Sequence, residues 1–336
     1  MGGEEGFEPT GDGSIEDDTT ATPFRTVSKA EVTTQERLAA LYREFVYAPA
    51  KIIWHDNRAR IGLAIVVFYG FVGFLGPVVM EPTGVRDGPR LQAPFESWDH
   101  PLGTDPQGVD LLTQTVFSTT PILQMVIAGA AFSVITGTTV GIVAGYKGGM
   151  IDTVLSTITD VFINIPGLPL VIVLAAMLDP RNPYIVGIIL SVAAWAGLAR
   201  NVRSQVLSLR TAAYIEAART MGVSTSLIVF RHTLPQLMPY VSINAVNHGR
   251  NVIYAAVGLY FIGVLPMAHD NWGVMLQRAY AAGGLYASDR THWMIIPMVA
   301  IVMLSLGMIL LAQSFDRVFN PRVRSRHMGE EEGPVQ

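Results

Sequence analysis

The chain has 336 residues, of which 50% are hydrophobic and 15% carry a formal charge, against about 25% charged in a typical soluble domain. Its net charge of −4 gives no reason to expect a nucleic-acid partner, and the absence of cysteine excludes disulfides and cysteine-ligated metal or iron–sulfur centres. The charge is also segregated: long uncharged runs alternate with short polar ones, which is the pattern of a membrane protein.

Residues 1–36 open MGGEEGFEPTGDGSIEDDTT, acidic and polar, without the apolar centre of a signal peptide. The expectation is a disordered cytoplasmic tail. Over 37–60 a pre-membrane segment follows, carrying Arg37, Arg43, Lys51, Arg58 and Arg60. Residues 61–80 hold no charge, and that length of helix covers the roughly 30 Å hydrocarbon core. A second span is expected over 121–144, after Pro121. A third covers roughly 154–178 and contains Asp160. A fourth, about 182–199, follows the turn Asp179–Asn182. The fifth, roughly 241–265, is interrupted by Asn247, His248, Arg250 and Asn251; the sixth is about 294–313. The fold class is therefore an all-α polytopic membrane protein with six transmembrane helices. A barrel would show short alternating segments, and one soluble core does not need six long apolar ones.

Six spans put both ends of the chain on one side. Arginines crowd the segment before the first span. They also crowd the insert between the fourth and fifth (Arg200, Arg203, Arg210, Arg219, Arg231) and the segment after the sixth (Arg317, Arg322, Arg324, Arg326). The segment 81–110 has only Arg86 and Arg90 among its acids, and 266–292 only Arg278 and Arg290. The positive-inside bias places both termini and the 200–239 insert in the cytoplasm, in a multi-pass protein of the cell membrane. Gly129, Ala130, Ala131, Gly137 and Gly141 in the second span are suited to close helix approach.

Polar groups at membrane depth need water or a partner. Asp160 has Asn164 four residues on, and Pro166 kinks the same helix. Arg250 has three readings: it faces an aqueous passage, pairs with Asp160, or snorkels to an interface. Asp160, Asn164, His248 and Arg250 are thus candidate passage or gating residues. His100, Asp105 and Asp110 read as structural rather than metal-binding. Asp105–Pro106 suits an N-cap and first turn, Gly103 and Gly108 suit tight turns, and Asp110 suits an arginine or backbone amides. His55, His232, His248, His269, His292 and His327 are too scattered for a metal centre.

The most informative stretch is the polar insert AAYIEAARTMGVSTSLIVFRHTLPQLMP, residues 212–239. Gly222 ends one short helix and permits a turn. Ser224 or Thr225 caps a second, to which Leu227, Ile228 and Phe230 give an apolar side, and Pro235 limits its continuation. Glu216-Ala217-Ala218, Gly222, Leu234 and Pro235 fall at the spacing of the EAA loop, and the insert resembles that loop of ABC importer permeases. The wider resemblance covers about 40–322. It rests on His100–Asp105 with Gly108-Val109-Asp110, on Ala144-Gly145-Tyr146-Lys147-Gly148-Gly149, on Trp195–Arg200 with Arg203–Leu209, on Phe261-Ile262-Gly263 and on Trp272–Leu276. It is strongest to the binding-protein-dependent permeases for dipeptides, oligopeptides and nickel.

The resemblance implies a non-catalytic membrane subunit. Residues 61–314 would form the permease domain, with 200–239 as its coupling loop and 315–336 as a cytoplasmic tail. Glu216, Ala217, Ala218, Gly222, Leu234 and Pro235 would dock into the ATPase. The implied partners are a second homologous permease, two ABC ATPase subunits or domains, an extracytoplasmic solute-binding protein and a peptide or related small solute. ATP and magnesium would be bound by the ATPases, since this chain has no phosphate-binding loop and no cofactor of its own. Around 248–252 the sequence departs from the family, and Ala256 stands where many relatives have an acid. The alternative is a secondary transporter with ion coupling through Asp160, His248 or Arg250.

Overall fold

A computed structural model of the chain describes residues 56–82, 84, 88–287 and 289–318; the expectations for the tails 1–36 and 319–336, and for most of the pre-membrane segment, lie outside them. Among the described residues the regular structure is helical, apart from one isolated bridge between Thr104 and Asp110.

Helix α1 (Asn57–Val79) starts where the Asp56 side chain accepts the Arg58 amide at 2.9 Å. Helix α2 (Leu111–Lys147) has 37 residues and is about 55 Å long. It begins ten residues before the expected 121. Pro121 lies inside it, and Asp110 rather than the proline sets its start by accepting the Thr113 amide at 2.8 Å. It ends in the Gly148-Gly149 turn, both residues at positive φ (66° and 59°).

The expected third span is broken. Helix α3 (Gly149–Asn164) and helix α4 (Gly167–Leu178) meet at 89°. Pro166 has no amide hydrogen and pushes Ile165 into extended geometry, so the break is sharper than a kink. The fourth is also divided: helix α5 (Pro183–Leu190) and helix α6 (Trp195–Leu209) meet at 57°, and α6 runs ten residues past the expected 199. Helices α7 (Ala213–Thr220) and α8 (Thr225–Ile228) form the insert. A π turn, Val229–Thr233, joins α8 to helix α9 (Leu234–Phe261). Helix α10 (Trp272–Ala281), capped by Asn271, and helix α11 (His292–Val318) complete the order.

Among the described residues three helices, α1, α2 and α11 over His292–Phe315, are long and apolar enough to cross a membrane, and there are up to five such spans if each bent pair counts as one. Helix α9 is long enough at 28 residues, but its polar residues keep it outside that set. Outward side chains such as Phe68, Phe71 and Val302 are at least 60% exposed, which suits lipid rather than water.

Contacts between helices fix their relative direction. Gly62 of α1 meets Leu310 of α11 and Ile65 meets Gly307, while Gly73 meets Leu123 of α2 and Gly76 meets Val116, so α1 runs antiparallel to both. A seam of small residues on α2, spaced by four, packs against α5 and α6. An added Cβ would lie 2.7 Å from the Gly187 carbonyl at Gly129, 2.8 Å from that of Trp195 at Gly137 and 2.6 Å from that of Ala199 at Gly141. The expected close approach at Gly129, Gly137 and Gly141 is therefore present, and Gly145 extends it to Val206. One end of the bundle, here called basal, carries Lys147, Arg210 and α7–α8. The distal end carries 88–110 and α10, where the Trp293 indole donates to the Thr104 carbonyl at 3.1 Å and the Trp272 indole to that of Thr115 at 3.4 Å.

The distal segment corrects one expectation. Asp105 caps no helix; its Oδ1 accepts the amides of Gln107 and Val109, each at 2.8 Å, and closes a turn. Gly103 and Gly108 do take positive φ, 80° and 79°. His100 Nδ1 lies 3.4 Å from Asp110 Oδ1, and no group of three or more His, Asp or Glu is arranged to hold a metal among the described residues.

Candidate functional site

The basal insert is a compact helix–turn–helix. Glu216 lies in the first turn of α7 and Arg219 in its last, each favourable to the helix dipole. Gly222, at φ 77°, donates its amide to the Arg219 carbonyl, and Val223 donates to that of Ala218. These two bonds and the positive φ make a Schellman ending, sealed by an apolar contact of Val223 with the cluster that contains Ala218. Gly222 was legible as a turn for this reason.

The second half departs from expectation. Ser224 occupies the N-cap position of α8, yet its side chain caps nothing; only its carbonyl accepts, from the Ile228 amide at 3.0 Å. Pro235 does not end the helix. It stands in the first turn of α9, where a missing amide costs little, and the wider π turn before it relieves crowding of the carbonyl four residues back. Hence α8, the π turn and α9 run on without a loop between them.

The apolar residues divide between two surfaces. Ile215, Ala218 and Ile228 are buried together and pack against Tyr146 at the end of α2. Tyr146 also packs on the neighbouring cluster of Leu198, Val202, Val206, Leu237 and Val241, so it joins the insert to the bundle. Arg210 Nη1 donates to the Gly145 carbonyl at 3.1 Å, and Gln236 Nε2 to the Tyr214 hydroxyl at 2.7 Å. Outward stand Glu216, Ala217, Pro235, Met221 (74% exposed), Leu227 (48%) and Phe230 (69%); Leu234 is half-buried. A small element anchored at both roots thus presents an exposed apolar group, Met221, Leu227 and Phe230, together with the charges of Glu216, Arg219 and Arg231.

The second candidate group lies within the bundle. Asp160 is ion-paired with Arg200 of α6, not with Arg250. The Asp160–Arg250 pair, one of the three readings of Arg250, is absent because Asp160 projects from α3 toward α6. Asn164 donates to the Asp160 carbonyl at 2.7 Å. Nearer the basal end, Asp152 takes Arg203 in a two-point pair at 2.5 and 2.6 Å and accepts from Ser156 at 3.1 Å. Sequence reasoning missed both pairs, because it placed Arg200 and Arg203 in a loop; the continued helical spacing of α6 beyond 199 was the available signal. Asp160, Arg200 and Arg203 line a cleft of about 240 Å³ between α2, α3 and α6.

Helix α9 is two-sided at about 100° per residue. Val241, Gly249, Val252, Ile253, Ala256 and Leu259 are buried on one face. Tyr240, Asn244, Asn247, Asn251 and Tyr254 share the other, with Arg250 at its edge. Asn251 and Tyr254 are exposed; Asn247 and Arg250 are half-buried. Arg250 Nε and His248 Nε2 have no hydrogen-bond partner among the described residues. His248 sits at the border of the two faces.

The family described as "Binding-protein-dependent transport system inner membrane component" matches residues 137–325, which include α3 to α11 and both candidate groups. The dipeptide transport system permease protein DppC of Bacillus subtilis is 30% identical over 272 residues, covering 80% of this chain and 83% of that protein. The oligopeptide transport system permease protein OppC of Haemophilus influenzae is 31% identical over 259 residues, 75% of this chain and 80% of its own length. OppC of Bacillus subtilis is 27% identical over 282 residues, covering 83% and 90%.

Proposed function

The chain belongs to the binding-protein-dependent transport family of inner membrane components, and from that premise we propose that it forms half of the passage of an ATP-driven peptide importer. The other half is a second homologous permease. Two ATPase subunits dock on the cytoplasmic side, one of them on this basal insert, and a solute-binding protein delivers a dipeptide, an oligopeptide or a related small solute at the distal end. The printed functions of the relatives support that cargo class.

The topology in this reading has six spans: α1, α2, the pair α3–α4, the pair α5–α6, α9 and α11. The alternating helix directions and the arginine-rich basal segments support it, with both termini and 200–239 cytoplasmic. Residues 61–314 are the permease domain, preceded by the tail 1–36 and the pre-membrane segment 37–60 and followed by the tail 315–336. Asp160, Asn164, His248 and Arg250 act in the passage or its gating.

The observation that carries the proposal is the anchored insert with its exposed apolar group. ATP-driven closure occurs outside the membrane and must move helices inside it. Glu216, Ala217, Ala218, Gly222, Leu234 and Pro235 belong to an element that continues directly into α9 and rests on α2 through Tyr146 and Arg210. A push on the tip therefore reaches two spans. ATP binding to the partners then favours one arrangement of the helices and hydrolysis the other, by differential affinity for the two states.

The test is uptake into vesicles that contain the purified complex with its solute-binding protein and a labelled tripeptide. The expected result is accumulation that needs ATP inside and is lost without the ATPase subunits. Accumulation by this permease alone, driven by an ion gradient, would replace the proposal with an ion-coupled carrier.

A further inference from the structure

A polar face on a helix at membrane depth is costly against lipid. On α9 that face runs through Asn244, Asn247, Asn251 and Tyr254 at spacings of three and four, opposite the buried face of Val252, Ile253 and Ala256, while Tyr240 at its basal end packs on the cluster of Leu198, Val202 and Val206. Asn244 Nδ2 returns to the Tyr240 carbonyl at 2.8 Å, whereas Arg250 makes no ion pair or hydrogen bond among the described residues. Helix α9 carries no acid, and Asp160, the nearest candidate from sequence, is engaged by Arg200. The face therefore combines amide donors and acceptors with one uncompensated guanidinium. A guanidinium presents a fixed fork of donors that matches a carboxylate in two-point geometry.

We propose that Arg250, with Asn247, Asn251 and Tyr254, forms a subsite in the passage that receives an anionic group of the cargo, a carboxylate in a peptide-type solute. The inference rests on the passage reading above. The amides keep the rest of the wall uncharged and adaptable, so one end of the solute is read while the remainder slides. With no carboxylate on the same face, the wall favours cargo with a free carboxylate over its amide. A single uncompensated charge attracts the anionic end while leaving few contacts to hold it, which suits passage rather than storage.

The chain has no cysteine, so an introduced one is a unique reporter. Asn251→Cys in the assembled complex, in membranes, is treated with an anionic (sulfonatoethyl) and a cationic (trimethylammonioethyl) methanethiosulfonate. The expected result is reaction with both, with the anionic reagent favoured about tenfold over its ratio with a free thiol. Arg250→Gln in the same background should abolish the preference, and Arg250→Lys should keep it. No reaction with either reagent, or a preference indifferent to Arg250→Gln, overturns the proposal. In uptake, trialanine should outcompete trialanine amide with the natural residue and lose that advantage in Arg250→Gln; equal competition in both contradicts the subsite. If neither peptide enters, the cargo class proposed above fails, and the reagent ratio alone decides this inference.

Discussion

Arg210 donates from its Nη1 to the carbonyl oxygen of Gly145 at 3.1 Å, joining the root of the basal insert to the last turn of α2. The carbonyls at a helix C-terminus lack intrahelical partners and carry partial negative charge, so an arginine there is doubly favourable. The bond sits beside Tyr146, which packs on Ile215, Ala218 and Ile228. Together they brace the insert against α2, and in the coupling proposal they make it a lever with a fixed fulcrum rather than a free loop.

Loss of that fulcrum should uncouple the machine. Arg210→Ala removes a charge-assisted bond of about 1.5–3 kcal/mol. ATP-dependent uptake is expected to fall several-fold while the ATPases still bind and still hydrolyse ATP. Measuring both rates in the same vesicles checks this, and parallel decline of the two would point to lost assembly instead.

Gly222 is the tightest backbone requirement in the insert. Its φ of 77° costs a side-chain-bearing residue about 1–2 kcal/mol, and proline can neither reach that angle nor donate to the Arg219 carbonyl. Gly222→Pro should abolish uptake and Gly222→Ala should reduce it mildly, with normal amounts of protein in the membrane. Glu216→Lys, exposed at the tip, should lower uptake without changing the fold. Wild-type uptake by Gly222→Pro would remove the turn from the coupling account.

The seam on α2 makes a separate prediction about stability. A side chain at Gly141 would start 2.6 Å from the Ala199 carbonyl and 2.7 Å from the Val202 Cβ, both on α6. Gly141→Leu should cost about 1–3 kcal/mol or more and lower the melting temperature in detergent. Gly70, with nothing near its would-be Cβ, should tolerate the same change.

Charge pairing at the cleft between α2, α3 and α6 can be apportioned by a double-mutant cycle. Asp160→Asn and Arg200→Gln should show a coupling of under about 1 kcal/mol in their effect on stability, because they remove the two halves of one half-exposed pair. Asp160→Asn and Arg250→Gln should be additive. Additivity for the first pair and coupling for the second would reverse the assignment of Asp160's partner.

Local signals explain what the sequence could and could not tell. Gly222 and the α2 glycines were legible because the requirement lies in the residue itself: a positive φ or a missing Cβ. The first and last spans were legible because nothing polar interrupts them. The break at Ile165–Pro166 read only as a kink, since the angle between α3 and α4 depends on how both pack. Asp110, not Asp105, caps α2, because both are followed by plausible helix starts and only the Asp105 turn onto Val109 decides between them. Pro235 was misread as a stop because a π turn, which leaves no sequence mark here, lets the helix pass into it. The partner of Asp160 depended on α6 continuing beyond the apolar run, where hydropathy no longer follows the helix.

The coupling claim is tested most directly by cross-linking from the tip of the insert. Met221→Cys and Phe230→Cys, each the sole cysteine of the chain, should form short bismaleimide cross-links to an ATPase subunit engineered with single cysteines in its membrane-facing cleft. The yield should change when ATP is added, and Trp98→Cys at the distal end, 91% exposed, should form none. An assembled, transporting complex in which neither tip position reaches the ATPase, with or without ATP, would contradict the account.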